Sequence, residues 1–212
     1  MGHPLWPMFD LRLTTSDLVL RHLTEDDLPQ LAAMLPADLE LDPSATMYAG
    51  LGAAHQRGVV IAQEYWKARG TWRPESWALS FGVLHGEELI GSQGLEGEDF
   101  PALRTVDSSS FLTAEARGRG WGKQMRRAVL ALAFGPLGAE FAITSAWHDN
   151  VQSLGVSRSL GYQDNGVVQH RRDEGVEAMV HLRMTRATWL ARGSADDVHV
   201  EGFEPCRPFF AL

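Results

Sequence analysis

The chain has 212 residues, of which 44% are apolar and 22% charged; this suits one globular domain and excludes disordered or fibrous architectures. Its formal net charge of −8 argues against non-specific binding to nucleic acid or to anionic membranes.

The opening MGHPLWPMFD lacks a basic segment followed by an apolar one, and no run nears the roughly 20 apolar residues of a membrane span. A soluble, cytoplasmic protein is expected. DLVLRHL (residues 17–23) alternates as a strand with Leu18, Leu20 and His22 on one side. Thr24 and Asp27 then give a capping-box-like start to a helix whose stripe is Leu28, Leu31, Ala32 and Leu35, with Pro29 tolerated in its first turn. Residues 36–58, rich in Pro, Gly, Ala and acids, read as a loop or broken helices, and Val59–Gly70 as a second helix.

Two strands follow, residues 77–84 and 87–95, joined at His85–Gly86 as a hairpin. TVDSSSFLT (residues 105–113) is a further strand running into a glycine turn. The helix beyond that turn buries Met125, Val129 and Leu132, spaced i, i+4, i+7, and is expected to show Lys123, Arg126 and Arg127 to solvent. EFAITSAW (residues 140–147) is another strand. DNVQSLGVSRSL (residues 149–160) is a helix capped by Asp149 or Asn150 and stopped by Gly161. Residues 162–175 and 176–185 complete a second strand pair. The tail, residues 192–212, carries GFEPCRPFF, too apolar for a free linker. The order β-α-α-β-β-β-α-β-α-β-β predicts one mixed α/β domain over residues 1–212, with its core at about 17–190.

The glycine turn RGRGWGK (residues 117–123) separates phosphate-binding designs. Gly118 and Gly122 are too close for a P-loop, and Gln124 offers no hydroxyl for Mg²⁺. Lys123 stands where a dinucleotide fingerprint needs its third glycine. R-x-x-G-x-G between a strand and a helix is met by Arg117, Gly120 and Gly122. Such a turn points backbone N–H groups, aligned with a helix N-terminus, at a pyrophosphate, and a Cβ would hold the backbone away from it. About thirty residues on, Asn150, Ser153 and Ser157 fall at i, i+3, i+7 and share one helix face. Plainer roles remain open: a glycine-rich connection, an N-cap for Asn150, a satisfied surface hydroxyl for Ser157.

On DLVLRHLTEDDL, FLTAEARGRGWGKQMRRAVLALAF and NVQSLGVSRSLGYQDNG, the chain resembles the GNAT superfamily of acyl-CoA-dependent N-acyltransferases. Within it, the sequence is most similar to the RimJ/RimL-like branch of ribosomal-protein N-terminal acetyltransferases. WPMFDLRLTT and GFEPCRPFF resemble an actinobacterial-type subgroup, some of whose members transfer succinyl groups. The resemblance implies a central mixed, twisted sheet splayed between two parallel strands, here TVDSSSFLT and EFAITSAW, and flanked by helices. It implies acetyl-CoA or succinyl-CoA as acyl donor, no metal, and direct attack by an amine in a ternary complex. Strand amides of Phe111, Leu112 and Thr113 would pair with the pantetheine arm. Arg117, Gly118, Arg119, Gly120, Trp121, Gly122 and Lys123 would hold the pyrophosphate, with Asn150 and Ser153 beside the ligand. The proton of the incoming ammonium would go to Asp107, or to Glu96 on the preceding strand, and Ser157 would offer a hydrogen bond to the leaving thiolate. Tyr162 reads as core.

The acceptor, a small molecule, a peptide N-terminus or a lysine, is left open. So is the cation that a succinyl carboxylate would need, with Arg104, Arg73 and His85 as candidates. Cys206 is the single cysteine, so no disulfide framework exists; its Pro-flanked surroundings do not suit a nucleophile. The histidines lack metal-ligand spacing. Trp66, Trp72 and Trp77 read as packing rather than a substrate cage. Phe203, Phe209 and Phe210, lying outside the core, suggest that the tail packs on a second subunit, a homo-oligomer. The rival class is a non-catalytic acyl-CoA sensor acting through partner contacts.

Overall fold

Alternating apolar residues lay down the strands: Leu11, Leu13, Leu18, Leu20, Leu79, Phe81 and Leu95 are each at most 1% exposed. The computed structural model describes residues 3–39, 45–172, 175–193 and 197–212. Parts of the expected loop at 36–58, of the second strand pair and of the tail lie outside them.

The strands are β1 (Arg12–Thr14), β2 (Val19–His22), β3 (Trp77–His85), β4 (Glu88–Gly97), β5 (Thr105–Asp107), β6 (Ser110–Leu112), β7 (Phe141–Trp147), β8 (Gln163–Arg172), β9 (Gly175–Thr185) and β10 (His199–Glu201). They form one mixed sheet in the order β10-β1-β2-β3-β4-β5-β7-β9-β8, with β6 paired to β4. The helices are α1 (Leu28–Ala33), α2 (Ala53–Gly70), the short α3 (Phe100–Leu103), α4 (Trp121–Phe134), α5 (Val151–Leu160) and α6 (Arg186–Ala191). Among the described residues, no helix is long and apolar enough to cross a membrane.

Most expected elements are present, and the departures have local causes. α2 starts six residues before Val59. Its first turns hold the preceding loop through polar side chains: Gln56 bridges Thr46 O and Tyr48 N, and Arg57 donates to the carbonyls of Pro36 and Leu39. The expected strand 105–113 is broken at Ser108–Ser109 into β5 and β6, which keep one register along β4, while only β5 also pairs with β7. β6 can lie so close because β4 has Gly91 there: a Cβ would sit 2.3 Å from Phe111 O. β1 and β10 lack an alternating run long enough to be read; they pair with each other, and β1 joins them to β2.

Arg126 corrects an expectation. The pattern places it on the solvent side with Lys123 and Arg127, but it is 4% exposed. From Ala128 to Phe134 every residue of α4 is buried, so the helix is wrapped on all sides and one of its cations is carried inward.

The tail is likewise accounted for within the chain. Phe203, Cys206 and Phe210 are at most 5% exposed. Phe210 packs edge-on against Trp77 at 4.9 Å and against Trp72 at 5.3 Å, while Trp72 Nε1 donates to Phe209 O. The observation that suggested a second subunit is thereby explained by contacts inside one chain. Trp72 and Trp77 are packing residues as expected, whereas Trp66 stands half exposed outside the cluster.

One buried group makes stability acid-sensitive. Burial, reinforced by the Arg69 guanidinium 3.1 Å from Nδ1, pushes His22 down to about 4. The unfolded chain takes the proton near the ordinary 6.5, so the contribution of His22 is complete above that pH and is lost as pH falls toward 4. Thermal or urea unfolding should show up to about 3 kcal/mol lost across this window, removed in His22→Phe. A wild-type limb no steeper than the variant's would refute it.

Candidate active site

The two carboxylates expected to handle the proton, Asp107 and Glu96, meet where the sheet forks. β5 and β7 run parallel and pair from Thr105↔Phe141 to Asp107↔Ile143. Beyond that pair β6 turns away to β4, and Thr144–Trp147 of β7 pair with β9 alone among the strands. The expected splay between two parallel strands therefore exists, and it opens at Asp107.

On one face of the fork lies a cavity of about 580 Å³, walled by α2, β3, β4, β5 and β7. Glu96 and Asp107, the two base candidates, both line it, and they are directly opposed across β4 and β5. Directly opposed antiparallel residues share a face with Cβ atoms about 4.5–5.5 Å apart. Burial first, and then the neighbouring Asp107, Glu98 and Glu64, raise the pKa of Glu96, against the pull of Lys67. The Glu96 side chain is open to the cavity's water, yet the walls around it thin that water enough to disfavour its charge. Asp107 is half-buried and also raised by burial; the Ser108 N–H at 2.6 Å and the Arg126 charge oppose the rise. Two carboxylates with raised values, side by side in a cleft, suit proton acceptance near neutral pH.

The glycine turn lies between β6 and α4. Gly118 and Gly120 adopt φ of 76° and 83°, and nothing stands within 4 Å of where a Cβ would project from either. Trp121 begins α4 with no side chain capping its amides. Open space before uncapped amides, with Lys123 exposed beside them, fits a pyrophosphate. Arg119 lies over the Trp121 ring at 5.2 Å, and the His85 ring also packs on Trp121, at 4.3 Å. Arg117 is engaged otherwise: its guanidinium makes a bidentate pair with Asp38 at 2.6 and 2.9 Å, and its Nε donates to Leu112 O.

The remaining candidates divide. The N–H of Thr113 donates to Ile90 O, so within β6 it is the alternate amide, that of Leu112, that points away from β4. Asn150 caps α5, its Oδ1 accepting from Ser153 N at 3.0 Å, which realises the plainer of its two roles. The face it shares with Ser153 and Ser157 runs from solvent into the core: Ser157 is 1% exposed, and its Oγ has no hydrogen-bond partner among the described residues. Tyr162 is core, as expected. Of the cations proposed for an acyl carboxylate, Arg73 lines the cavity, Arg104 lies over Phe100 and His85 sits at the glycine turn.

Sequence reading missed Lys67, Glu64 and Glu98 in the cavity, Asp38 on Arg117, and the interior position of Arg126. Only the last had a signal, the unbroken apolar run that follows it.

A family model described as an acetyltransferase (GNAT) domain matches residues 17–163. Solved structures share the fold at low identity. Mycobacterium smegmatis RimJ in complex with CoA-disulfide superposes with a TM-score of 0.66 at 15% identity, over 89% of this chain and 97% of that one. The spermidine/spermine N-acetyltransferase SpeG from Vibrio cholerae in complex with manganese ions gives 0.62 at 14% identity, over 84% and 97%.

Proposed function

Because the chain belongs to the GNAT acetyltransferase family, we propose that it moves an acetyl or succinyl group from coenzyme A to an amine in the cytoplasm, with its chemistry at the Asp107 fork. The observation that carries this reading is the pairing of Glu96 with Asp107 at the point where β5 and β7 part. Coenzyme A, when bound, supplies a thioester whose carbonyl carbon an amine can attack. An acceptor amine is an ammonium at neutral pH and must lose a proton first; Asp107 and Glu96, made more basic by burial, take it directly or through one water. With Glu64, Glu96, Glu98 and Asp107 against Lys67 and Arg73, the cavity draws in a cationic amine of any of the three acceptor classes. Gly118–Lys123 provide amides and charge for the pyrophosphate. The buried Ser157 Oγ, without a partner among the described residues, is the hydrogen-bond donor proposed for the leaving sulfur; a hydroxyl there stabilises the thiolate without fully protonating it.

Thermal unfolding with CoA, acetyl-CoA, succinyl-CoA, ATP and NAD in parallel tests the reading. A CoA species at about 100 times its Kd adds roughly 2.7 kcal/mol, about 5–10 °C for a chain of this size. No shift with any CoA species, or a larger one with ATP or NAD, overturns it. The same assay reads the Arg117–Asp38 pair. Asp38 is 66% exposed and holds a guanidinium that the pyrophosphate would otherwise use, so Asp38→Ala should tighten CoA binding about two- to fivefold. Unchanged or weaker binding would remove Arg117 from the site.

A further inference from the structure

Among the described residues, Arg126 is a buried charge without a counter-charge. Its guanidinium spans the fork on the side of α4: Nη1 donates to Thr144 Oγ1 on β7 at 3.2 Å, and Nη2 to Ser110 Oγ on β6 at 3.3 Å. Thr144 Oγ1 in turn donates to Ser108 O at 3.1 Å. Ser108 and Thr144 are the first residues past the Asp107–Ile143 pair on each arm. Side chains alternate along a strand, so these two leave the sheet on the face opposite the carboxylate pair. The fork is thus flanked by acids on one face and by a cation on the other.

Three polar atoms in this cluster are buried without a partner among the described residues: Arg126 Nε, Ser108 Oγ and the Tyr162 hydroxyl. They lie together. The Tyr162 phenol, raised by burial, is pulled back by the Arg126 charge and by the nearness of Ser108 and Arg126, although no well-formed hydrogen bond reaches it. Arg126 forms no ion pair with a described carboxylate; Asp107 feels its charge from a distance. A guanidinium taken out of water and held by neutral hydroxyls has lost its hydration without gaining a counter-ion, an arrangement that a fold keeps at a cost. Its free Nε–H together with a neighbouring Nη–H forms the edge that grips a carboxylate through two parallel hydrogen bonds.

We infer that Arg126 takes the terminal carboxylate of the acyl group, which makes the donor a CoA thioester of a dicarboxylic acid rather than acetyl-CoA. The inference rests on the acyltransferase reading above and adds to it a specificity-determining residue. Arg73, which with Lys67 lines the cavity on the opposite face, faces the acceptor and plays no part in choosing the donor. No bond is made or broken at Arg126: it orients the acyl chain across the fork, its far end held on the α4 face and its carbonyl toward Asp107 and Glu96. A neutral two-carbon acyl group leaves the guanidinium uncompensated.

Calorimetric titration of the full chain, without acceptor, with CoA, acetyl-CoA, succinyl-CoA and glutaryl-CoA tests this directly. The wild type should bind one of the dicarboxylic thioesters at least about tenfold more tightly than acetyl-CoA, a margin typical of a buried charge-assisted pair. Arg126→Met should abolish that margin while keeping affinity for CoA and acetyl-CoA within about threefold, and its ligand-free thermal midpoint should be equal to or above the wild type's, since an apolar group replaces an unpaired buried charge. If Arg126→Met does not fold, Arg126→Lys carries the test: it keeps the charge, loses the planar edge and should retain less than half of the logarithmic margin. Equal binding of all thioesters by a wild type that binds CoA overturns the inference and leaves Arg126 a clamp between β6 and β7. A margin that survives in Arg126→Met, or disappears in Arg73→Met, overturns it as well. Failure of CoA itself to bind is a different result and sinks the acyltransferase reading underneath.

Discussion

Replacing both carboxylates at the fork, Glu96→Gln with Asp107→Asn, lowers kcat/KM for the amine acceptor by about 10²–10⁴-fold, the range expected of a lost general base. The thermal shift with CoA stays unchanged, because neither residue lies on the glycine turn. Amides keep the shape of the site, and the amide replacing the Asp107 carboxylate retains an oxygen for the Ser108 N–H, so the loss reports proton transfer rather than collapse. Each single variant should lose less than the double, because the remaining carboxylate still borders the cavity. The pH profile sharpens the test. A general base works deprotonated, and burial raises both groups from their ordinary values. The acidic limb of kcat/KM should therefore stand above about pH 4, with activity climbing through it, and the limb should move in either single variant. For stability the sign is opposite. Raised folded-state values mean that the folded pair holds protons more tightly, so its contribution fades as pH rises through those values, and the amide variants should be no less stable at neutral pH. A double variant that turns over at the wild-type rate would remove the pair from the mechanism.

Phe210→Ala should cost about 3–5 kcal/mol, the usual consequence of emptying a large aromatic site in a packed core. Phe210 is 0% exposed and makes edge-on contacts with Trp72 and Trp77 and a stacked one with Phe203. Trp77 also lines the cavity, so the loosened wall should raise KM for the acceptor while the CoA shift persists. Urea denaturation reads the first effect. A loss below about 1 kcal/mol would mean that the tail is an ornament on the core rather than part of it. The loss should not depend on protein concentration, since every partner named belongs to the same chain.

Much of this was legible in the sequence wherever a local rule applies. Strand alternation identified β2, β3, β4 and β7, and 3.6-residue periodicity with caps identified α4 and α5, because the same side chains that set local geometry also build the core. The turn at Gly118–Gly122 was recognisable because the pyrophosphate role proposed for it needs neighbouring backbone amides and glycines at short spacing. Asp107 and Glu96 could be named as candidates, but neither their pairing nor the fork beside them is a local property: both follow from the register of β4 against β5 and from the break at Ser108–Ser109.

The tertiary structure alone decided the rest. The tail's aromatics could equally have met a second subunit; long-range packing against Trp72 and Trp77 chose the chain's own core. Arg126 looked like a surface cation because it falls off the Met125, Val129 and Leu132 stripe and is followed by another cation, Arg127. Its fate was settled by β6, β7 and Tyr162 closing over it, and a side chain's burial depends on what arrives from far along the chain. What the sequence determined was therefore the set of chemical groups and the elements that carry them. What distance, burial and counter-charge make of those groups, two carboxylates opposed at Glu96 and Asp107 and a buried Arg126 with no carboxylate partner among the described residues, came from elements distant in sequence meeting at the fork.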